Sequence, residues 1–256
     1  MQLFDAHCHL QDARIAGDIP QILERARVAG VRGFLTCGTS EADWSTVAEL
    51  CKKHPNVSPA FGLHPWWVAE RSSEWRINLS EFLNDGGSVG EIGLDYAGAD
   101  ANRREQMSIF LYQYRLSIDL GRTVSVHCRR AWGDMLELLR SHGAHPAGII
   151  LHSYSGSAEI IPQLTKLNSF FSFSCALTYP ENQRAAGAVR ATPIERLLIE
   201  TDTPDISPRG EDGKRERLNE PANLSLVLRR VAELKFIETA ELAADIWENG
   251  LGLIHE

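Results

Sequence analysis

The sequence predicts an α/β fold, a TIM (β/α)8 barrel with its functional site at the C-terminal ends of the strands. Three observations predict it. Short strand-like apolar runs alternate with amphipathic helical stretches eight times along 256 residues, and such alternation means a parallel sheet with right-handed crossovers. Eight units at this length suit a barrel better than an open doubly wound sheet, which uses fewer units and often carries a glycine-rich turn after its first strand. The first strand here ends instead in Phe4-Asp5-Ala6-His7-Cys8-His9-Leu10, and ionisable residues recur at later strand ends.

After that strand, Asp18-Ile19-Pro20 opens a helix, with Asp18 as N-cap and Pro20 in the first turn, and Gly30 closes it. Gly33 to Gly38 reads as strand two, Ser40 caps a helix to Lys53, and Val57 to Leu63 reads as strand three. A helix over Glu74 to Asn84 precedes strand four, Val89 to Leu94; a long helix over Arg103 to Leu120 precedes strand five, Thr123 to His127. Trp132 to Ser141 is helical, Gly148 to His152 is strand six, and a helix over Ala158 to Leu167 leads to strand seven, Phe170 to Ser174. A weaker helix over Gln183 to Ala191 precedes strand eight, Leu197 to Glu200. The charged irregular stretch Pro204 to Pro221 has the length of a functional loop, and helices over Ala222 to Lys235 and Thr239 to Gly250 end the chain. No linker, repeat or low-complexity segment divides residues 1–256, so one domain is expected.

Hydrophobic residues make up 43% of the chain, enough for a full core. The net charge of −8 argues against holding a polyanion by bulk charge, although a local basic rim or bound cations can still attract phosphate. The five cysteines are odd in number and scattered, which points to a reducing compartment. With no secretory signal or membrane span in view, the expectation is a soluble cytoplasmic protein that needs neither a membrane nor an obligate protein partner.

Side chains alternate along a strand, so His7 and His9 face one way and Cys8 the other. Strand three ends in His64, strand four carries Glu91, strands five and six end in His127 and His152, and strand eight leads to Asp202. The remaining histidines (His54, His142, His145, His255) fall in loops, helix ends or the tail, where solvation accounts for them. Taken singly, Asp202 reads as a turn cap, Glu91 as a satisfied interior carboxylate, and His127 or His152 as a hydrogen-bonded core residue. With His64 set aside, six such groups on one rim are a poor fit to coincidence. They suit a site for two divalent ions, with zinc or manganese favoured by the imidazoles and magnesium still open.

In that site His7, His9 and Asp202 hold one ion, His127 and His152 the other, and Glu91 bridges. Two metals clamp the attacking and leaving oxygens of a hydrolysis, and Asp202 is placed to orient and deprotonate the attacking water. Asp5 shares the face of His7 but lies deeper, and it reads either as a residue supporting a ligand from behind or as structural. Arg129 shares a face with His127 and reaches the barrel mouth, followed by Arg130. Arg103, Arg104, Lys214, Arg215 and Arg217 fall in or beside rim loops, and Trp66-Trp67 offers aromatic surface on which unpaired bases stack. The overall acidity favours the plainer reading for all of these except Arg129, with the other cations as solvated loop charges and the two tryptophans packed into the helix ring.

Several stretches resemble the TatD family of metal-dependent hydrolases. They are Asp5-Ala6-His7-Cys8-His9-Leu10, Gly62-Leu63-His64-Pro65, Gly90-Glu91-Ile92-Gly93-Leu94-Asp95-Tyr96, Val126-His127-Cys128-Arg129, His152-Ser153-Tyr154-Ser155-Gly156-Ser157, Ile199-Glu200-Thr201-Asp202-Thr203-Pro204 and Asn219-Glu220-Pro221. Their order and spacing cover almost the whole chain. The resemblance implies a metal-loaded barrel with deoxyribonuclease activity, often a 3′-to-5′ exonuclease on single-stranded DNA ends. It implies metal ligands at His7, His9, Glu91, His127, His152 and Asp202, and it sets His64 near the substrate phosphate. The chain departs from the family pattern at Thr123, near Leu253 and at Trp66-Trp67, none of which is a metal-ligand position. The same residues leave two other functions open: hydrolysis of a small ester, amide or phosphate, and a partner-binding or quality-control barrel with vestigial metals.

Overall fold

The computed structural model describes residues 1–98, 102–209 and 218–254. The strands are β1 (Leu3–Cys8), β2 (Val31–Cys37), β3 (Val57–Phe61), β4 (Ser88–Asp95), β5 (Val124–Arg129), β6 (Ile149–Leu151), β7 (Ser169–Phe173) and β8 (Leu197–Ile199). All pair in parallel, in sequence order. The circle is drawn shut just past β8, where the His9 N–H donates to Thr203 O at 2.7 Å and the Asp202 N–H donates to His7 O at 3.0 Å. The expected (β/α)8 barrel is therefore present, and its closing bonds fall on the residues that carry the chemistry.

The helices that ring the barrel are α1 (Ile19–Val28), α2 (Glu41–Lys53), α3 (Trp75–Asn84), α4 (Arg103–Asp119), α5 (Trp132–His142), α6 (Ile161–Thr165), α7 (Gln183–Ala191), α8 (Leu224–Lys235) and α9 (Thr239–Ile254). Each forms where apolar residues recur at helical spacing. In α1 these are Ile19, Ile22 and Ala26, and in α8 Leu224, Val227, Leu228 and Val231. Asp43 starts α2 by accepting the backbone N–H groups of Ser40 at 3.2 Å and Thr39 at 3.0 Å. Asp18 makes no capping hydrogen bond; a short 3-10 turn, Ala16–Asp18, runs straight into α1, with proline in its first turn as expected.

The single helix expected over 158–167 is broken into a 3-10 turn, Ala158–Ile160, and α6, because Pro162 has no N–H for a continuous ladder and fits only in a first turn. Pro65–Glu70, for which the sequence predicts no element, forms a 3-10 turn.

Two cores result. One lies between the strands and the helices; the other fills the barrel with Phe4, Ala6, Leu35, Cys37, Ala60, Ile150 and Leu198. The register of β1 against β2 slips between Asp5 and Cys8, so Ala6 belongs to the inner core and Cys8 to the outer one. The slip is a local bulge, which re-aims side chains. It also changes the expected place of Asp5: its carboxylate accepts the Thr201 N–H at 2.9 Å and the Thr201 hydroxyl at 2.6 Å, tying β1 to the end of β8.

Helix α9 plugs the end of the barrel opposite the histidines. There Leu253 O accepts the Thr123 hydroxyl at 2.7 Å, and the Asn249 amide donates to Ile194 O and Leu197 O at 2.8 and 3.0 Å. Asn219 does similar work on the loop after β8, donating to Thr201 O at 2.7 Å and Ile206 O at 3.2 Å. Lys214, Arg215, Arg217 and His255 lie outside the described residues. Among the described residues, no helix is long and apolar enough to cross a membrane.

His145 corrects its expectation. It is buried at 1% exposure, its Nδ1 accepts the Ala147 N–H, and its Nε2 meets Ser117 Oγ at 2.9 Å. Burial pushes its pKa down to about 4.

Candidate metal centre

The six expected ligands converge on one rim, with Glu91 at the middle. Its Oε2 lies 3.4 Å from His7 Nε2 and 3.5 Å from His9 Nε2. Its Oε1 lies 3.0 Å from His127 Nδ1, 3.2 Å from His152 Nε2 and 3.4 Å from His64 Nε2. Asp202 Oδ1 is 3.4 Å from His9 Nε2 and 3.8 Å from His7 Nε2. Three overlapping groups have all their donor atoms within 4.8 Å of one another: His7, His9 and Glu91; His7, His152 and Asp202; His64, Glu91 and His127. The division into two separate halves is less sharp than expected. His152 belongs with His7, their rings stacked at 3.9 Å, as well as with His127, whose Nδ1 is 3.4 Å from its Nε2.

Backbone geometry makes this crowding possible. Strand β4 runs so close to β5 that a Cβ on Gly90 would lie 2.8 Å from Ser125 Cβ, and one on Gly93 only 2.0 Å from His127 O. Glycine at both positions lets Glu91 reach the centre of the ring. Asp202 has φ 58° and Ser153 φ 40°, left-handed conformations that cost energy and gather at functional rims.

The hydrogen bonds on the far side of each ring fix which nitrogen faces inward. His9 Nδ1–H donates to Cys37 O at 2.7 Å, and His152 Nδ1–H to Glu200 Oε1 at 3.0 Å. His127 Nε2–H donates to Asp95 Oδ2 at 3.2 Å, and His7 Nδ1 meets Ser125 Oγ at 2.9 Å. Carbonyl and carboxylate oxygens only accept, so in the neutral rings of His9, His127 and His152 the inward nitrogen carries a lone pair, as a metal ligand must.

His64 has the opposite arrangement. Its Nδ1 accepts the Trp66 N–H at 3.2 Å, so the nitrogen facing Glu91 is Nε2–H. Although His64 sits within one of the close groups, it offers a donor where the others offer lone pairs.

Asp95 and Glu200 are functional candidates that sequence reasoning missed. For Asp95 the signal was present: Glu91, Gly93 and Asp95 follow the two-residue strand period. Glu200 was visible as a lone acid at the end of the apolar run Leu197-Leu198-Ile199. Both are buried, Glu200 completely.

Burial alone would raise the pKa of Glu91, but its electrostatic interactions with His64, His152 and His7 outweigh that and hold the carboxyl well below its usual range. Asp202 is likewise lowered despite burial, mainly by its hydrogen bond to His9. Burial opposes charge on His9, yet Asp202 and Glu91 lift its pKa to about 9. His152 is raised against burial by Glu200 and Glu91, whereas burial prevails at His64 and brings it down to about 4. Two ionised carboxylates in a nearly dry ring therefore draw positive charge to themselves. With imidazole lone pairs around them, the donor set fits divalent cations. Asp5 stands apart from this, its carboxyl pushed up by burial to about 7.

The ring forms the floor of a cleft of about 1240 Å³. Seven carboxylates and three arginines line it. Arg14 is engaged by Asp12 and Asp205 at 2.7 and 2.8 Å, and Arg71 by Glu105 at 2.8 Å. Exposed Arg129 reaches the mouth as expected and has no ion-pair partner among the described residues. Arg103 lies over the Tyr96 ring at 4.6 Å. Trp66 and Trp67 line the cleft with 61% and 38% of their surface exposed.

Comparison with known proteins adds three kinds of finding. A profile of the TatD related DNase family matches residues 4–255. The metal-dependent hydrolase YabD of Bacillus subtilis, itself uncharacterised, is 30% identical over 250 residues, covering 96% of each chain. The Danio rerio protein tatdn3, provisionally named a deoxyribonuclease, is 29% identical over 263 residues, covering 97% of this chain and 96% of its own. The crystal structure of YJJV, a TatD homologue from Escherichia coli, superposes with a TM-score of 0.92 at 27% identity, over 99% of this chain and 98% of the other.

Proposed function

Because the chain belongs to the TatD related DNase family of metal-dependent hydrolases, we propose that it is a deoxyribonuclease that hydrolyses phosphodiester bonds at single-stranded DNA ends, in the 3′-to-5′ direction. The observation that carries the reading is the ring of imidazole lone pairs around Glu91 and Asp202 on the floor of an open cleft. His7, His9 and Asp202 would hold one divalent ion and His127 and His152 the other, with Glu91 shared between them. Zinc or manganese suits this donor set better than magnesium. Such ions, when bound, supply Lewis acidity that polarises the phosphodiester and lets water attack near neutral pH.

The protein's own groups have separate tasks. Asp202 stays ionised, since its carboxyl is held below the usual range, and an Asp202 oxygen takes the proton of the attacking water. Glu91, ionised for the same reason, keeps negative charge at the centre of the ring. His64 turns Nε2–H inward and donates it to a phosphate oxygen, and Arg129 offers its charge to phosphate at the mouth. Asp95 and Glu200 hold His127 and His152 in register by accepting their outer N–H groups. The five free cysteines, four of them buried, favour the reducing cytoplasm.

The acidic lining of the cleft favours a second reading, hydrolysis of a small ester, amide or phosphate. Metal analysis of the purified protein, combined with release of nucleotides from end-labelled single-stranded and duplex DNA, tests the first. EDTA should abolish release, and Glu91→Ala and Asp202→Ala should each remove it while the fold survives. Metal-loaded protein that leaves DNA ends intact but turns over small esters rapidly would overturn the first reading in favour of the second.

A further inference from the structure

We propose that Trp66 and Trp67 form a stacking subsite for the unpaired nucleobase beside the scissile phosphodiester, with Trp66 joined to the histidine ring through Asp95. The inference rests on the phosphodiesterase reading and adds the feature that recognises the base. Both indoles sit on the 3-10 turn after β3 and keep part of their surface open to the cleft.

Trp66 is held firmly along one edge. Its backbone N–H donates to His64 Nδ1 at 3.2 Å, and its indole N–H donates to Asp95 Oδ2 at 2.8 Å. The same Asp95 oxygen accepts His127 Nε2–H at 3.2 Å. The indole stands edge-on to His64, centroids 4.9 Å apart, and 6.3 Å from His127. An aromatic ring fixed at its edge beside the reactive centre, with a face left to solvent, is a pre-organised platform. A base stacked there keeps its phosphate next to His64 Nε2–H.

Charge supports the same conclusion. With seven carboxylates against three arginines in the lining, two of those arginines already paired, coulombic attraction for a polyanion is weak. Stacking is nearly independent of base identity and supplies affinity without positive charge. Bases in a duplex are already stacked on their neighbours, so the platform selects single-stranded ends.

The test measures binding of a labelled oligothymidylate and of an abasic oligomer with the same number of phosphates. It uses fluorescence anisotropy with a chelator present, so that nothing is cleaved. The wild-type chain should bind the base-bearing oligomer roughly 5- to 100-fold more tightly, the range that stacking on aromatic side chains gives. The Trp66→Ala/Trp67→Ala double variant should bind both oligomers alike. Trp66→Phe keeps a face and loses the N–H, so it should retain the discrimination. In the metal-loaded enzyme it should lower kcat with little change in KM, because Asp95 has lost a donor that steadies it.

A wild-type chain that does not distinguish the oligomers, a double variant that still does, or a Trp66→Phe variant that fails as the alanine variant does would each overturn the subsite. Discrimination in a metal-loaded protein that cleaves no DNA would instead overturn the phosphodiesterase reading and leave the subsite standing.

Discussion

Glu200 touches no substrate in this scheme, yet its replacement should weaken metal binding. Its Oε1 accepts His152 Nδ1–H at 3.0 Å and the Ser153 N–H at 2.7 Å, in a fully buried position. The carboxylate thereby fixes the His152 tautomer that leaves Nε2 facing Glu91. Glu200→Gln keeps an acceptor oxygen for both donors and removes the charge. Glu200→Ala removes the acceptor as well, so the imidazole is free to rotate or change tautomer and the Ser153 N–H is left unsatisfied. Hydrogen bonds to charged groups are worth about 1.5–3 kcal/mol, and loss of an outer partner of a metal-bound histidine typically costs about 10- to 100-fold in metal affinity. The two estimates agree, since tenfold is about 1.4 kcal/mol. We expect a loss near the lower end for Glu200→Gln and near the upper end for Glu200→Ala. Competition titration with zinc or manganese measures it, with thermal melting of the metal-free chains as the control for folding. Wild-type metal affinity in a folded Glu200→Ala variant would refute the argument that tautomer control shapes this ring.

Three further predictions probe other parts of the structure. His64→Gln should leave metal stoichiometry intact and lower kcat/KM by roughly 10- to 100-fold, one charge-assisted hydrogen bond to phosphate, whereas His9→Ala should reduce metal content itself; metal analysis and kinetics of both variants check the distinction. Gly93→Ala should disrupt the β4–β5 pairing, because its Cβ would lie 2.0 Å from His127 O, and overpacking of this kind costs at least about 1–3 kcal/mol; a melting temperature equal to that of the wild type would contradict it. His145 has a folded-state pKa of about 4, below its ordinary 6.5, so between those values the unfolded chain binds the extra proton. Its stabilising effect is complete above about pH 6.5 and declines as the pH falls toward 4. The stability of the wild type relative to His145→Gln should therefore drop by roughly 2–3 kcal/mol between pH 7.5 and pH 4.5, measured by denaturant unfolding; a pH-independent difference would show that the buried imidazole keeps its usual affinity for protons.

Alternation of strand and helix signals sufficed for the barrel, because each of its units obeys a local period. It also sufficed for the ring, because a barrel brings the strand ends together whatever the details of pairing. His7 and Asp202 are 195 positions apart in the chain, and the closing bond between Asp202 N–H and His7 O makes them neighbours. What the sequence concealed depends on local deviations from those periods. The register slip in β1 separates Ala6 from Cys8 and takes Asp5 to Thr201. Pro162 breaks a helix whose apolar spacing looked continuous. His145 is buried by Ser117 and Tyr114 through tertiary contacts that no pattern in its own stretch announces.

The roles of the histidines were the least legible feature, because an imidazole at a strand end can give a lone pair or a proton. The sequence supplies five histidines at the ends of four strands and no sign of which nitrogen faces inward. The outer partner decides it. An oxygen that only accepts lies behind His9, His127 and His152 and turns their lone pairs inward. A backbone N–H lies behind His64 and turns its proton inward. Distance alone would group His64 with Glu91 and His127, whereas hydrogen-bond direction separates it from them. The same direction gives the 3-10 turn after β3 its significance. Trp66 supplies the N–H that makes His64 a donor, and its indole shares the oxygen that makes His127 a lone-pair ring. One residue in an element the sequence did not reveal thus sets the polarity of His64 and helps anchor the partner of His127.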